Sequence, residues 1–431
     1  GDYVSKDYLI DKTEEAYSHV FIIHYPDEER EAGRPLKTAP CYERLKSMGG
    51  VFGQKFGWER ANWFVDGEME QVDHWSFRRS KWFDAVGKEV TNVTNNVGVL
   101  DMTAFAKCRI SGKHALKFLD NLLANKIPQK SGQIALCHAL NSNGGIHSEF
   151  TVLKEKEESY YLVSAGALQR LDHDYIKKYM SQDDDVHYLN LTDEKGVLVL
   201  AGPKSRELLE RVSDHDFSNE VFPWLSAQEI EIDDCRITAM RVNYVGELGW
   251  ELHHELNDQN KIFDKLFENG SDLGLKPFGI RAMDSMRFEK SYRMVGTELS
   301  IEYSAFESSM DRFIQTDKEN FLGKESLLAW QKKNNQSRLV TLEVDEIKDA
   351  DVLGNNAVTI EGQLIGRATG GNFGYRVNKS LALAMLDIEK AEVGTRCSID
   401  ILGEIHPATV IADSPFDPKN ERLRDVNNAN K

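Results

Sequence analysis

From Val97 to Tyr292, short apolar strand-like runs and amphipathic helices follow one another without strict alternation; after Gln336 short strands dominate, separated by Gly and Asp/Asn turns. A doubly wound parallel sheet needs a helix after each strand, so this pattern predicts α+β architecture with a small C-terminal β-barrel or sandwich. Strands are expected at 99–102, 106–110, 134–140, 149–153, 160–164, 197–201, 235–244 and 249–253. Helices are expected after Ser111-Gly112, with apolar side chains at 115, 116, 118, 119, 122 and 123, and over 168–180 and 281–292. Six further strands lie between 339 and 412, and the polar run 332–336 reads as the boundary before them. Residues up to about 70 show no sheet-like alternation: a helix starting near Asp11, turns around Gly33-Arg34-Pro35, and a short helix 42–48 closed by Gly49-Gly50 read as a connector arm. The tail after Pro418 reads as loose.

Composition narrows the function classes. The 431 residues carry 53 Lys+Arg against 70 Asp+Glu, a formal net charge of -17. Such a chain repels phosphate, and no local basic patch offsets this, so nucleic-acid binding is not expected. No apolar run approaches the ~20 residues of a membrane helix, so the chain reads as soluble, with no membrane partner. Cys41, Cys108, Cys137, Cys235 and Cys397 lie far apart without a CxxC, which reads as reduced intracellular thiols and not as a disulfide framework or zinc site. The opening Gly1-Asp2-Tyr3 suggests a trimmed tag or a piece of something longer.

Several catalytic signatures are missing: no GxGxxG loop, no Walker phosphate loop, no HExxH. The Gly370-Gly371-Asn372-Phe373-Gly374 run reads as a turn between strands, because the helix N-terminus a phosphate loop requires does not follow it. His253 and His254 are adjacent on a strand and face opposite sides, so they cannot chelate one ion. No metal is expected. Two segments remain. Residues 140–152 join an Asn-Gly-Gly turn to a strand carrying Glu149 among apolar neighbours; residues 241–252 place Tyr244 and Glu251 on either side of a tight turn, with Trp250 beside the acid. A carboxylate between apolar strand neighbours is costly to bury without a donor. On residue types alone, a ligand site and a pair of ordinary exposed strand acids both remain open.

The segments 244–252, 99–102, 140–152, 198–203 and 284–289 resemble the glycine-cleavage T-protein (aminomethyltransferase) family, and more closely the folate-binding half of the dimethylglycine and sarcosine dehydrogenases. Residues 24–36 and 52–60 are similar to the segment joining the flavin and folate halves of those enzymes, and 370–382 to their C-terminal barrel. The resemblance implies a three-part, ring-like body holding tetrahydrofolate in a central hole. The corresponding division is a connector arm over 1–75, a folate-binding domain over 76–335 and a barrel over 336–431. It assigns Glu149 to the folate N5/N10 region as the catalytic acid, where many family members carry Asp preceded by Asp and this chain has Ser148-Glu149. It places Glu251 on the pterin edge, Tyr244 in the same pocket, and Arg287 at a family arginine position, as ligand or as support.

The implied activity is tetrahydrofolate-dependent one-carbon transfer. It would form 5,10-methylenetetrahydrofolate from the iminium of a methylated glycine delivered by a flavin-dependent partner domain or subunit. A stand-alone aminomethyltransferase or osmolyte demethylase, and a non-catalytic folate-binding module, are the alternatives; the arm favours the first reading. No flavin is expected on this chain. A cytoplasmic location follows, or the mitochondrial matrix in a eukaryote.

Overall fold

Two sheets form the middle of the molecule. The computed structural model describes residues 4–181, 184–332 and 336–425. It orders the first sheet as Ile134–Leu140, Ile146–Lys156, Ser159–Ser164, Ala106–Ser111 and His187–Asn190, all antiparallel. The second runs Ala227–Ile232, Cys235–Met240, Gly249–Glu255, Lys195–Ala201, Val97–Asp101 and Leu275–Pro277, antiparallel except at its last pair.

Side chains alternate along each strand, so each sheet has two faces. On the first sheet, Phe150, Val152, Tyr160 and Leu162 pack against Leu119 and Leu122 of the helix Ala115–Leu122 and Ile176 of the helix Gln169–Tyr179. On the second, Leu198, Leu200, Trp250 and Leu252 pack against Leu208 and Leu209 of Ser205–Val212 and Ile262 and Phe263 of Gln259–Gly270. Burying one such side chain contributes about 1.5–3 kcal/mol, so these faces commit their helices firmly. The opposite faces meet: Ile134, Leu153, Tyr161 and Val163 of the first sheet share a buried cluster with Ala227 and Met240 of the second. Glu149 and Glu251 lie on these two facing surfaces.

After Gln336, six strands close into a barrel: Ser337–Val344, Lys379–Asp387, Gln363–Gly374, Ala357–Ile360, Arg396–Ile401 and Glu404–Ile411. Closure leaves no unpaired edge, and Val340, Leu342, Ala384, Ile399 and Val410 fill the interior. The architecture is the expected α+β body with a C-terminal β-barrel. A buried charge cluster joins the two: Arg376 pairs with Glu289, and its Nη1 lies 3.1 Å from Glu247 Oε1, with the guanidinium 3.9 Å over the Phe416 ring.

Four local expectations need correction. The first seventy residues do contain a sheet, the hairpin Gly50–Lys55 and Trp58–Phe64. Its second strand is buried on both faces, so the polar/apolar alternation that marks a half-exposed strand is absent. Glu89 secures it by accepting from Phe64 N and Gly279 N, both at 2.7 Å. Residues 370–374 are strand and not turn: a bulge at Ala368/Gly370 keeps them paired with Lys379–Asp387, and ladder bonds outweigh glycine's weak strand preference. The strand expected over 235–244 stops at Met240. The tail is docked through residue 425, with Leu423 4% exposed and Arg422 Nε 2.8 Å from Glu247 Oε2; residues 426–431 lie outside the described ones. The boundary run 332–336 also falls partly outside them. The first helix is Lys6–Ser18, capped by Ser5 and burying none of its side chains.

Candidate functional site

Glu149 owes its position to the Asn-Gly-Gly turn. Asn141 Oδ1 accepts from Asn143 N at 2.9 Å and Gly145 N at 3.0 Å, closing an Asx turn. Gly144 has φ +88°, and a Cβ on Gly145 would stand 2.4 Å from the Ile301 carbonyl oxygen, so both glycines are needed. The turn, followed by a bulge at Ala139/Leu140, sets a register in which His138 stands directly opposite Glu149. Their side chains meet, His138 Nε2 to Glu149 Oε2 at 2.8 Å, with the imidazole fully buried and the carboxylate side chain 18% exposed. Among the described residues, Glu149 Oε1 makes no hydrogen bond to the protein.

Glu251 follows a second Asx turn. Asn243 Oδ1 accepts from Val245 N and Gly246 N at 3.0 and 3.1 Å, and Asn243 Nδ2 donates to the Glu247 carbonyl at 2.7 Å. The turned chain enters Gly249–Glu255 with Trp250 on the helix-covered face and Glu251, opposite Val199, on the inner one. His253, two residues on and hence on the same face, lies with Nε2 3.1 Å from Glu251 Oε2 and Nδ1 3.1 Å from the Tyr161 hydroxyl. Burial pushes the Tyr161 phenol well up and His253 down, the latter partly offset by Glu251. Tyr161 therefore donates to Nδ1, and the Nε2–H donates to Glu251. This chain crosses between the two sheets. His254 points the other way, as the strand period predicts, and donates Nδ1–H to the Leu252 carbonyl at 2.9 Å.

Tyr244 is half-buried; its hydroxyl donates to the Arg293 carbonyl, and its ring lies 5.6 Å from that of Tyr292. Burial pushes its phenol up, Arg287 draws it back, and Glu149, Glu298 and Asp284 push it further. Tyr244, Glu149 and Arg287 thus share one electrostatic neighbourhood. Arg287 is buried and bonds protein through Nε and Nη1: Nε to Asp284 Oδ1 at 2.6 Å, Nη1 to the Tyr292 carbonyl at 3.0 Å and to Glu298 Oε2 at 3.3 Å. Asn372 and Thr369 of the barrel bond the same two carboxylates, at 3.0 and 2.6 Å. Arg287 therefore ties the helix Ile280–Glu289 to the barrel strand.

Three residues not assigned to the site from sequence enter it: His138, Tyr161, and His253, which was weighed only as half of a metal chelate with His254. One had a readable signal: strand period puts His253 beside Glu251. A regular hairpin on the Asn-Gly-Gly turn would set His138 opposite Ser148, and only the bulge at Ala139/Leu140 brings it opposite Glu149. Tyr161 had none, because its partner is on another sheet. Among the described residues no three His, Cys, Asp or Glu side chains gather as a metal site, and no helix is long and apolar enough to cross a membrane.

Residues 41–318 match the GCVT N-terminal domain model, 337–417 the glycine cleavage T-protein C-terminal barrel domain, and 1–39 the FAD dependent oxidoreductase central domain. The chain is 35% identical over 416 residues to mitochondrial dimethylglycine dehydrogenase of Rattus norvegicus, covering 96% of this chain and 48% of that protein. It is 29% identical to 4-methylaminobutanoate oxidase (formaldehyde-forming) of Paenarthrobacter nicotinovorans, covering 98% and 51%. To the aminomethyltransferase of Thermoanaerobacter sp. (strain X514) it is 30% identical, covering 88% and 96%. This chain therefore spans about half the length of the first two relatives and nearly all of the third. The crystal structure of glycine cleavage system aminomethyltransferase T from Bartonella henselae has the same fold, with a TM-score of 0.77 at 20% identity, covering 89% of this chain and 99% of that one. The chain belongs to the glycine-cleavage T-protein family.

Proposed function

We propose that the chain transfers a one-carbon unit to tetrahydrofolate, taking it from the iminium of a methylated glycine that a flavin-dependent partner domain or subunit supplies. One observation carries this reading: each of two facing sheets presents a carboxylate whose one oxygen is held by a buried imidazole, while the other makes no bond among the described residues. The names of the relatives, a dimethylglycine dehydrogenase and a 4-methylaminobutanoate oxidase, support an N-methyl amine as the ultimate donor. The match of residues 1–39 to a flavin oxidoreductase domain supports a flavin partner reached through the arm (1–75), with the body (76–335) and barrel (336–431) forming the transfer unit.

The donor set fits a reduced pterin. Such a ring carries neighbouring N–H groups along one edge, and a carboxylate fixed at one oxygen is preorganised to accept from them. When bound, tetrahydrofolate supplies the nucleophilic nitrogen that takes up the one-carbon unit. Glu251 accepts the pterin-edge N–H groups, and the Tyr244 ring lines the same side. Glu149 orients the incoming amine, stabilises its positive charge and takes up a proton as transfer proceeds. Arg287 supports the Tyr292 backbone and, through Asp284 and Glu298, the barrel strand.

The test is a split between binding and turnover in the full chain. Glu251→Gln should weaken tetrahydrofolate binding in calorimetry by about 1.5–3 kcal/mol, one to two decades in Kd. Glu149→Gln should bind normally and slow methylenetetrahydrofolate formation from formaldehyde plus sarcosine, measured above the spontaneous condensation. Wild-type affinity in Glu251→Gln removes that residue from the site; wild-type turnover in Glu149→Gln removes the catalytic assignment.

A further inference from the structure

We propose that His138 is a positioning residue for the transfer step, acting only through Glu149. The inference rests on the catalytic reading of Glu149 given above. His138 lies opposite Glu149 in the antiparallel ladder, and its Nε2 is 2.8 Å from Glu149 Oε2. The imidazole is fully buried, with the Phe313 ring 5.8 Å away, centroid to centroid. Its other nitrogen, Nδ1, has no hydrogen-bond partner among the described residues. An orphaned buried N–H is the rarer and costlier arrangement, so the geometry puts the proton on Nε2, where it has an acceptor, and leaves Nδ1 as a bare lone pair.

A glutamate has three rotatable bonds, and a partly exposed one samples several rotamers unless something holds it. The His138 Nε2–H holds one oxygen, so that Oε1 is presented to the reacting amine and not to neighbouring groups. A ligand-facing carboxylate oriented by a buried imidazole is the protein counterpart of an outer-shell partner that orients a metal ligand. Burial makes the arrangement rigid: a ring with no exposed surface cannot swing to another acceptor without unpacking the strand pair.

Three measurements on the full chain decide it. In protein labelled with 15N-histidine, the His138 signals should show the Nε2–H tautomer and should shift in Glu149→Gln; a proton on Nδ1 in the unsubstituted protein overturns the proposal. His138→Leu should lower kcat for methylenetetrahydrofolate formation by about ten- to hundredfold, leaving the tetrahydrofolate Kd within about twofold, and His138→Gln, whose amide reaches the same oxygen, should recover most of the loss. In a Glu149→Gln background His138→Leu should cost nothing more, since the partner it acts on has already lost its charge. Equal losses in both backgrounds, or a kcat unchanged in the single variant, overturn the proposal while the role of Glu149 stands. A Glu149→Gln variant with wild-type turnover removes the reading beneath it and the proposal together. Should His138→Leu not fold, His138→Asn, polar but too short to reach Oε2, takes its place with the same expected losses.

Discussion

Adjacent histidines on one strand do different work here because successive side chains point to opposite faces. His253 joins Tyr161 to Glu251, whereas His254 is buried at 1% exposure with Nε2 lacking a partner among the described residues. Burial lowers His254 from 6.5 to about 3, with the Leu252 carbonyl opposing the shift. The sign follows from proton counts. Below pH 6.5 the unfolded chain binds a proton at this residue that the folded chain does not take up until about pH 3, so stability is full above that window and falls through it on acidification. Each such proton is worth about 1.4 kcal/mol per pH unit. His254→Leu should flatten the fall measured by urea denaturation between pH 6.5 and 4.5; parallel curves for the two proteins would show that His254 does not titrate this way. At this scale the two candidate acids could be singled out in sequence, since a carboxylate among apolar strand residues invites a question, but residue types alone left a pair of ordinary strand acids open. Of their imidazole partners, strand period places His253 beside Glu251, whereas nothing local marks His138, because its register depends on a bulge.

Turns govern the elements of the site. The Asn-Gly-Gly turn was readable from residue type alone, and the structure adds what glycine is for: the backbones of Ile301 and Leu327 approach Gly145 and Gly144 to 2.4 and 2.7 Å from where a Cβ would stand. Gly145→Ala should destabilise the protein by about 1–3 kcal/mol, because a backbone oxygen cannot swing aside as a side chain can. Denaturant midpoints read this directly, and an unchanged midpoint would mean that the Ile301 loop yields freely. Helices and half-exposed strands announced themselves by period. The Gly50–Lys55 and Trp58–Phe64 hairpin did not, since Trp63 and Phe64 are consecutive and both buried, one at 1% and the other at 7% exposure. Alternation is a signal of unequal faces, and a strand covered on both sides has none.

Across the whole molecule the barrel is held to the body by charges with no access to water. Arg376, Glu289 and Glu247 have side chains 2%, 0% and 1% exposed. Arg376→Met should cost about 3–5 kcal/mol, because it leaves Glu289 buried without its cation and Glu247 with Arg422 alone, and the thermal unfolding midpoint should drop accordingly. A midpoint within a degree or two of wild type would show that Arg422 and the backbone donors near Glu289 suffice. Residues 284, 289, 298, 369, 372 and 376 make this junction, and none declared itself in the sequence as part of one network. Much else was settled by the order of residues. Non-alternating helices and strands dictated an α+β body, and closely spaced turns after Gln336 dictated a small barrel or sandwich, because hydrogen-bond period and turn chemistry act over a few neighbours. Family kinship was equally local, carried by short motifs. What required the folded chain was the meeting of distant parts: the sheet face bearing Glu149 against the one bearing Glu251, Tyr161 against His253, the docked tail against Glu247. Such contacts depend on which apolar faces bury one another, a property of the summed surface of many elements that no window of sequence contains.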